Sequence, residues 1–222
     1  MMNVIDTHVH VWDLDHYRLP WLDGEGPVLK RTWAPSNYVA DQATDHGYHV
    51  EQAVYIEVDM APEERPRENE LACQMVSDPG CIYGGACISG DMTTPEFDAY
   101  ITEWGAKPQI KGVRQVLHVP SAKPGTCLEP QFLANVRRLG ELGLVFEGCL
   151  RCPELRDLET VAKECPNTTI ILNHMGIVDA DIMGEANPSE EERAYQDAWK
   201  RNMALLGRLD NVVCKVSGLN PM

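Results

Sequence analysis

Apolar runs of strand length alternate with amphipathic segments of helical period along the whole chain. The runs predict seven β-strands, at residues 5–12, 52–58, 82–88, 110–117, 144–150, 169–173 and 212–216. The segments between them predict helices at residues 37–45, 62–77, 96–104, 129–142, 153–165 and about 187–209. Proline and glycine residues, and N-cap residues such as Ser36 and Thr94, mark many of the helix ends.

The regular alternation of strand and helix predicts a parallel sheet that is covered on both faces. Two closures satisfy this pattern, an open doubly wound sheet and a (β/α)8 barrel. An open sheet usually carries a glycine-rich turn after its first strand, whereas here the first strand carries His8 and His10. We therefore predict an α/β fold of the (β/α)8 TIM-barrel type. It forms a single domain over residues 1–222 and lacks the eighth strand–helix unit.

Composition narrows the choice of partner. The net charge is −15, from 34 acidic against 19 basic residues, which disfavours nucleic acid and anionic membrane surfaces. No apolar run approaches the ~18 residues of a membrane span, and no basic segment opens the chain. The eight cysteines are scattered, as is typical of reduced thiols. We expect a cytoplasmic protein that acts on a small molecule.

The first predicted strand places Asp6, His8 and His10 on one face, because side chains alternate along a strand. Its opposite face is aliphatic, with Ile5, Val9 and Val11, so we expect that face to be buried against other elements. Two imidazoles on one face can converge on an ion or on a substrate oxygen; the alternative is a pair of histidines in an edge strand. A buried polar face needs partners, which favours the functional interpretation.

Active sites of barrels form at the carboxyl ends of the strands. Polar residues collect at these ends: Glu57, Asp59, Ser89, Asp91, Arg114, His118, Glu147, Arg151, Asn173, His174, Lys215 and Ser217. His174 directly follows an aliphatic strand, so we expect it to meet His8 and His10; the alternative is a core or cap histidine. The long loop at residues 13–35 adds aromatic side chains, among them Trp21, which can shape a pocket rim.

The sequence contains no G-x-S-x-G nucleophile elbow and no glycine-rich phosphate loop. A covalent serine mechanism and a nucleotide cofactor are therefore disfavoured. Hydrolysis by an activated water molecule is favoured instead.

Segments 6–13, 110–114, 144–147, 171–176 and 214–219 resemble, in order and spacing, the amidohydrolase-2 family. The similar branch is the lactonase branch that holds L-fuconolactonase, sulfomuconolactone hydrolase and pyrone-dicarboxylate lactonase. The resemblance spans residues 3–219. It implies a hydrolase that opens a sugar-acid or muconate-type lactone, with His8, His10 and His174 polarising the carbonyl group. Arg114, Lys215, Glu147, His118 and Trp21 are the predicted substrate-binding residues.

Several positions depart from the family pattern. Asn173 stands where the branch commonly has aspartate, and Gln115 stands where histidine is common. The family's water-activating aspartate, expected after an eighth strand, has no counterpart in residues 1–222. Strand 5 offers Glu147 where metal-dependent members have a histidine. The cofactor is therefore either one divalent metal such as zinc, held by His8, His10 and His174, or none.

Two alternatives stay open. One is a metal-dependent amidohydrolase or decarboxylase acting on a small carboxylic acid, and the other is an inactive barrel that binds a sugar acid. An unclosed barrel would leave two unpaired strand edges, and such edges promote association. We therefore expect either a homo-oligomer or poor solubility.

Overall fold

The computed structural model describes residues 2–42 and 47–218. It contains a seven-stranded sheet whose strand order follows the chain. The strands are β1 (Met2–Val9), β2 (Tyr48–Ile56), β3 (Tyr83–Ser89), β4 (Ile110–Val116), β5 (Val145–Cys149), β6 (Ile170–Leu172) and β7 (Val212–Cys214). The pairs β1–β2, β2–β3, β5–β6 and β6–β7 are all parallel.

Helices separate the strands. They are α1 (Pro35–Gln42), α2 (Arg65–Ser77), α3 (Phe97–Gly105), α4 (Pro130–Glu141), α5 (Leu155–Glu164), α6 (His174–Ile177), α7 (Ala180–Gly184) and α8 (Glu190–Leu206). Short 3₁₀ turns cover Pro20–Gly24, Pro62–Glu64, Thr126–Leu128 and Cys152–Glu154. Parallel strands that alternate with helices confirm the α/β fold of the TIM-barrel type, with seven strands in the part of the chain that the structure describes.

The chain forms two compact units. The first comprises the residues up to Gly90 together with Glu103–Gly112, and the second comprises Asp91–Thr102 and the residues from Val113 onward. The single domain remains a prediction. The first unit contains β1, β2, β3 and the start of β4, and the second contains the rest of β4 and β5 to β7.

The helices follow the predicted apolar period more closely than the predicted caps. Ser36, predicted as an N-cap, lies inside α1. In α4, Phe132, Val136 and Leu139 lie on one helical face and are fully buried. In α8, Ser189 accepts a hydrogen bond from the Glu192 N–H while the Glu192 carboxylate accepts from Ser189 N–H, a capping box. The predicted helix at 37–45 corresponds to α1, which the structure describes as far as Gln42; residues 43–46 lie outside the described part.

The first strand differs from its prediction in its bounds and in the burial of its aliphatic face. β1 ends at Val9, so His10 lies just beyond the strand. Val9 and Val11 are buried as expected, but Ile5 is 57% exposed, so the expectation that this whole face is covered is wrong. Among the described strands, β1 pairs with β2 alone, so β1 lies at an edge of the described sheet.

The loop after β1 has a small core of its own. Trp12, Leu19 and Leu22 pack with Val58 and Met60, which follow β2. The Trp21 indole N–H donates to the carbonyl of Val58 at 2.8 Å, and the Trp21 ring meets Trp12 edge-on with centroids 5.9 Å apart. Trp21 thus anchors the loop to the carboxyl end of β2, and its role in substrate binding remains a prediction.

Both outer strands expose apolar side chains, Ile5 on β1 and the half-exposed Val213 on β7. We expect the purified chain to self-associate through these edges, and Ile5→Lys with Val213→Lys to shift it towards monomer. Light scattering measures the mass. Val28→Lys, which adds the same charge at an exposed loop position, should leave the mass unchanged. A monomeric parent chain with a cooperative melt would contradict this expectation.

Candidate functional site

The two histidines after and within β1 converge. The Nε2 atoms of His8 and His10 lie 3.0 Å apart, and the rings meet edge to face. His10 Nδ1 lies 3.0 Å from the carbonyl oxygen of Ile56. A carbonyl oxygen only accepts hydrogen bonds, so Nδ1 of His10 carries the proton and its Nε2 presents a lone pair towards His8. β2 therefore fixes the tautomer and orientation of His10.

Asp6 organises the surroundings of this pair. One carboxylate oxygen accepts from the His8 backbone N–H at 3.0 Å, and the other accepts from the Tyr38 hydroxyl at 2.7 Å. Burial, and then the bond to Asp6, raise the pKa of Tyr38 well above its usual value, so Tyr38 stays a neutral donor. A cavity of about 320 Å³ opens here, with Asp6, His8, His10, Trp33, Tyr38 and Asp41 among its lining residues.

A pair of buried carboxyl groups lies near the carboxyl end of β2. Glu57, predicted at this position, accepts a 2.7 Å hydrogen bond from the Asp59 N–H. Glu68 of α2 accepts from the Tyr55 hydroxyl at 2.9 Å and from the Val58 N–H at 2.8 Å. Burial, and then the charge of Glu57, raise the pKa of Glu68 to about 8. Sequence reasoning missed Glu68, because it lies in a polar stretch of α2 that reads as a solvated helix face.

In the second unit, four predicted positions form one polar network. Lys215 Nζ lies 2.7 Å from each carboxylate oxygen of Glu147. The Asn173 amide donates to Glu147 Oε2 at 2.9 Å, and its oxygen accepts from Arg114 Nε at 2.9 Å. Arg114, Glu147 and Asn173 are all buried. The network therefore joins four successive strands, β4 to β7. Arg114 and Glu147 lie within β4 and β5, and Asn173 and Lys215 directly follow β6 and β7.

Cys149 and His118 extend this network. Arg114 Nη2 donates to the Cys149 sulfur at 3.4 Å, and the same sulfur lies 3.5 Å from His118 Nδ1. Cys149 is fully buried. His118, a predicted substrate-binding residue, therefore contacts the side chain that borders Arg114.

His174 begins an unusual turn. α6 is a single left-handed turn in which His174, Met175, Gly176 and Ile177 all have positive φ, between 48° and 77°. Left-handed backbone costs an L-residue about 1–2 kcal/mol. Two contacts hold the turn: the Trp199 indole N–H donates to the Met175 carbonyl at 2.9 Å, and the Met175 N–H donates to the Lys215 carbonyl at 3.2 Å. Such strain commonly accompanies functional sites.

The imidazole of His174 is neutral at physiological pH. Its Nδ1 lies 2.9 Å from the Ser217 hydroxyl. Burial, and then the positive charges of Arg114 and Lys215, lower the pKa of His174 to about 4. A neutral imidazole can accept a hydrogen bond while the cations around it attract negative charge.

Other predicted positions have local structural contacts. Arg151 forms an ion pair with Glu154 and donates to the carbonyl of Val119 at 3.1 Å. Asp91 accepts from the hydroxyl and the backbone N–H of Thr93. These two residues brace loops. The convergence of His8 and His10, in one unit, with His174, in the other, remains a prediction.

The described residues do not complete a metal site. Among them, no group of three or more histidine, cysteine, aspartate or glutamate side chains surrounds a point where a metal ion would sit. The two imidazoles of His8 and His10 fall short of the three protein ligands that a catalytic zinc usually has. The predicted set of His8, His10 and His174 therefore stays a prediction, and we assign no catalytic step to a metal.

Glu68→Gln tests the buried carboxyl pair. The raised pKa means that folded Glu68 keeps its proton between about pH 4.5 and 8, while the unfolded chain loses it. Stability of the parent chain therefore falls as pH rises through this window. Glutamine keeps the hydrogen-bond acceptor but does not ionise. At pH 8 the free energy of unfolding of the variant should therefore be higher than that of the parent by about 1 kcal/mol or more. Urea unfolding at pH 5 and pH 8 measures the stability difference between the variant and the parent. The same difference at both pH values would contradict the prediction.

Gly218→Ala tests the support of His174. A Cβ atom at residue 218 would lie 2.8 Å from Cγ and Nδ1 of His174, and the φ of 67° is unfavourable for alanine. We expect the imidazole to leave Ser217 and stability to fall by about 1–3 kcal/mol. Histidine ring resonances in NMR spectra report the displacement. Gly184→Ala, at a position open to solvent, is the control, and an unmoved His174 resonance in Gly218→Ala would contradict this prediction.

Comparison with known proteins shows which relatives and which family this chain resembles. A curated relative, L-fucono-1,5-lactonase of Burkholderia multivorans, is 24% identical and aligns over 97% of this chain and 68% of its own length. The solved structure of amidohydrolase 2 from Bifidobacterium longum subsp. infantis is 31% identical, with a TM-score of 0.72, and the match covers 100% of this chain and 75% of that one. A probable 2-pyrone-4,6-dicarboxylic acid hydrolase from Acinetobacter baumannii shares the fold at 18% identity and a TM-score of 0.70, over 98% and 71% of the two chains. The amidohydrolase family model matches residues 5–222. The chain therefore belongs to the amidohydrolase family and is a hydrolase.

Proposed function

We propose that the protein hydrolyses a small lactone of the sugar-acid or muconate type, by attack of water on the ring carbonyl. The observation that carries the proposal is the buried network of Arg114, Asn173, Glu147 and Lys215 beside the neutral imidazole of His174. Negative charge develops on the carbonyl oxygen when water adds. Fixed cations and N–H groups in a buried site stabilise that charge strongly.

The roles follow from the chemistry of each group. Arg114 and Lys215 hold the carboxylate or hydroxyl oxygens of the substrate, since a planar guanidinium suits a carboxylate. His174, neutral because of its lowered pKa, accepts a hydrogen bond from the substrate or the attacking water. His8 and His10 polarise the lactone carbonyl, and Ile56 keeps the Nε2 of His10 aimed at its partner.

The cavity beside His8 and His10 favours a sugar ring. Trp33 and Tyr38 supply aromatic surface, and Asp6 and Asp41 supply carboxylates that can accept hydrogen bonds from hydroxyl groups. Aromatic surface combined with carboxylate acceptors suits a ring that has apolar faces and a polar edge. The lactonase relative acts on such a compound by its name, which supports the same substrate class here.

A pH-stat panel of aldono-, fucono- and muconolactones tests the proposal, with chelator and with added zinc. We expect opening of at least one sugar lactone above the background rate, and a fall in kcat/KM of roughly 10²-fold or more for His174→Asn. His49→Asn, at an exposed histidine on β2, should match the parent.

The assays with chelator and with zinc distinguish a metal-independent hydrolase, a zinc-dependent hydrolase and a binding protein. Turnover that persists in chelator means that this hydrolase works without an added metal. Turnover that needs zinc would assign His8, His10 and His174 as ligands. A folded protein that opens no lactone in either condition would contradict the proposal, and thermal stabilisation by a sugar acid would then indicate a binding protein.

A further inference from the structure

Asn173 occupies a fixed place between oppositely charged groups. It follows β6 directly, and its side chain is fully buried. Its backbone N–H donates to the Gly148 carbonyl at 2.9 Å, and its own carbonyl accepts from the Gly176 N–H at 2.9 Å. The backbone on both sides is thus tied to the sheet and to the left-handed turn. The side-chain amide therefore has a defined orientation.

The two ends of the amide have opposite partners. The Asn173 oxygen accepts from Arg114 Nε, and the Asn173 nitrogen donates to Glu147 Oε2, each at 2.9 Å. A carboxylate accepts at both oxygens and cannot donate. An aspartate of the same shape would place its second oxygen against Glu147 and repel it. In this chain, where Glu147 is the neighbour, the neutral amide satisfies both partners without adding a charge.

The amide controls more than its two direct partners. Both oxygens of Glu147 bind the Lys215 ammonium at 2.7 Å, so the position of Glu147 sets the position of Lys215. Arg114 and Glu147 are buried, where solvent and salt screen charges weakly. One uncharged side chain therefore orients two cations that come from opposite ends of this part of the sheet, β4 and the residue after β7.

We propose that Asn173 is a positioning and specificity-determining residue, which orients Arg114 and the Glu147–Lys215 pair towards an anionic ligand without adding negative charge. This inference rests on the proposed function, in which Arg114 and Lys215 hold the oxygens of the substrate. Its consequence is selectivity by charge. A negative charge introduced at residue 173 lowers the affinity for a sugar acid more than the affinity for an uncharged polyol of the same skeleton.

Calorimetric titration with two probes measures this selectivity. Sodium L-fuconate is the anion, and L-fucitol is its uncharged reduced counterpart. The titrations use the whole chain at pH 8.5, well above the ordinary pKa of an aspartate. The parent should bind fuconate more tightly than fucitol. Asn173→Asp should bind fuconate at least tenfold more weakly than the parent does, and fucitol within threefold of the parent.

Gln115→Glu is the matched control. It adds the same charge on β4 next to Arg114, but its oxygen takes a different position, where Gln115 accepts a 2.9 Å hydrogen bond from the Met92 N–H. We expect both affinities of this variant to stay within threefold of the parent. If Asn173→Asp does not fold, Asn173→Ala replaces it, with fuconate bound at least threefold more weakly and fucitol unchanged.

Three outcomes would overturn the inference. An equal loss of affinity for both probes would assign Asn173 a purely structural role, and unchanged affinity for fuconate would show that its charge is irrelevant. A parent chain that binds no fuconate would remove the anion site itself. The lactone panel judges the proposed function separately, because turnover of an uncharged lactone does not require tight binding of the acid.

Discussion

The ion pair between Lys215 and Glu147 is the interaction on which the second unit of the structure depends. A buried charge is costly unless it is paired and hydrogen-bonded, and Glu147 is buried with both oxygens on Lys215 and one on Asn173. The amide of Asn173 then extends this pairing to Arg114. These polar contacts link the four strands β4 to β7. They also place the cations Arg114 and Lys215 beside His174.

Most of this network could be predicted from the sequence by a single rule about strand ends. Parallel strands in an α/β barrel present their functional residues at their carboxyl ends. Asn173 and Lys215 directly follow β6 and β7, and Arg114 lies near the end of β4, whereas Glu147 lies in the middle of β5. The helices could also be predicted where one local signal is clear: the buried apolar face in α4 and the capping box in α8. The family and the fold followed from the same segments, and the match over residues 5–222 confirms the family.

Other features depend on contacts that no local pattern encodes. Glu68 lies within a charged stretch of α2, and only the packing of α2 against Tyr55 and Val58 makes it a buried acid. The left-handed turn at His174 depends on Trp199, which is distant in sequence. Ile5 has an aliphatic side chain in a strand, yet it lies at a sheet edge and is exposed. Burial and partners arise from tertiary structure, so periodicity alone predicts them poorly.

We propose that this amidohydrolase opens lactones by means of the network around Glu147 and Lys215. The most direct test compares lactone opening by the parent and by the double variant Lys215→Met/Glu147→Gln, which removes both buried charges together and so avoids leaving one unpaired. We expect a folded double variant whose kcat/KM is lower by roughly 10²-fold or more, the size of a lost electrostatic contribution to catalysis. A double variant as fast as the parent, or a parent no faster than the uncatalysed reaction, would contradict the account.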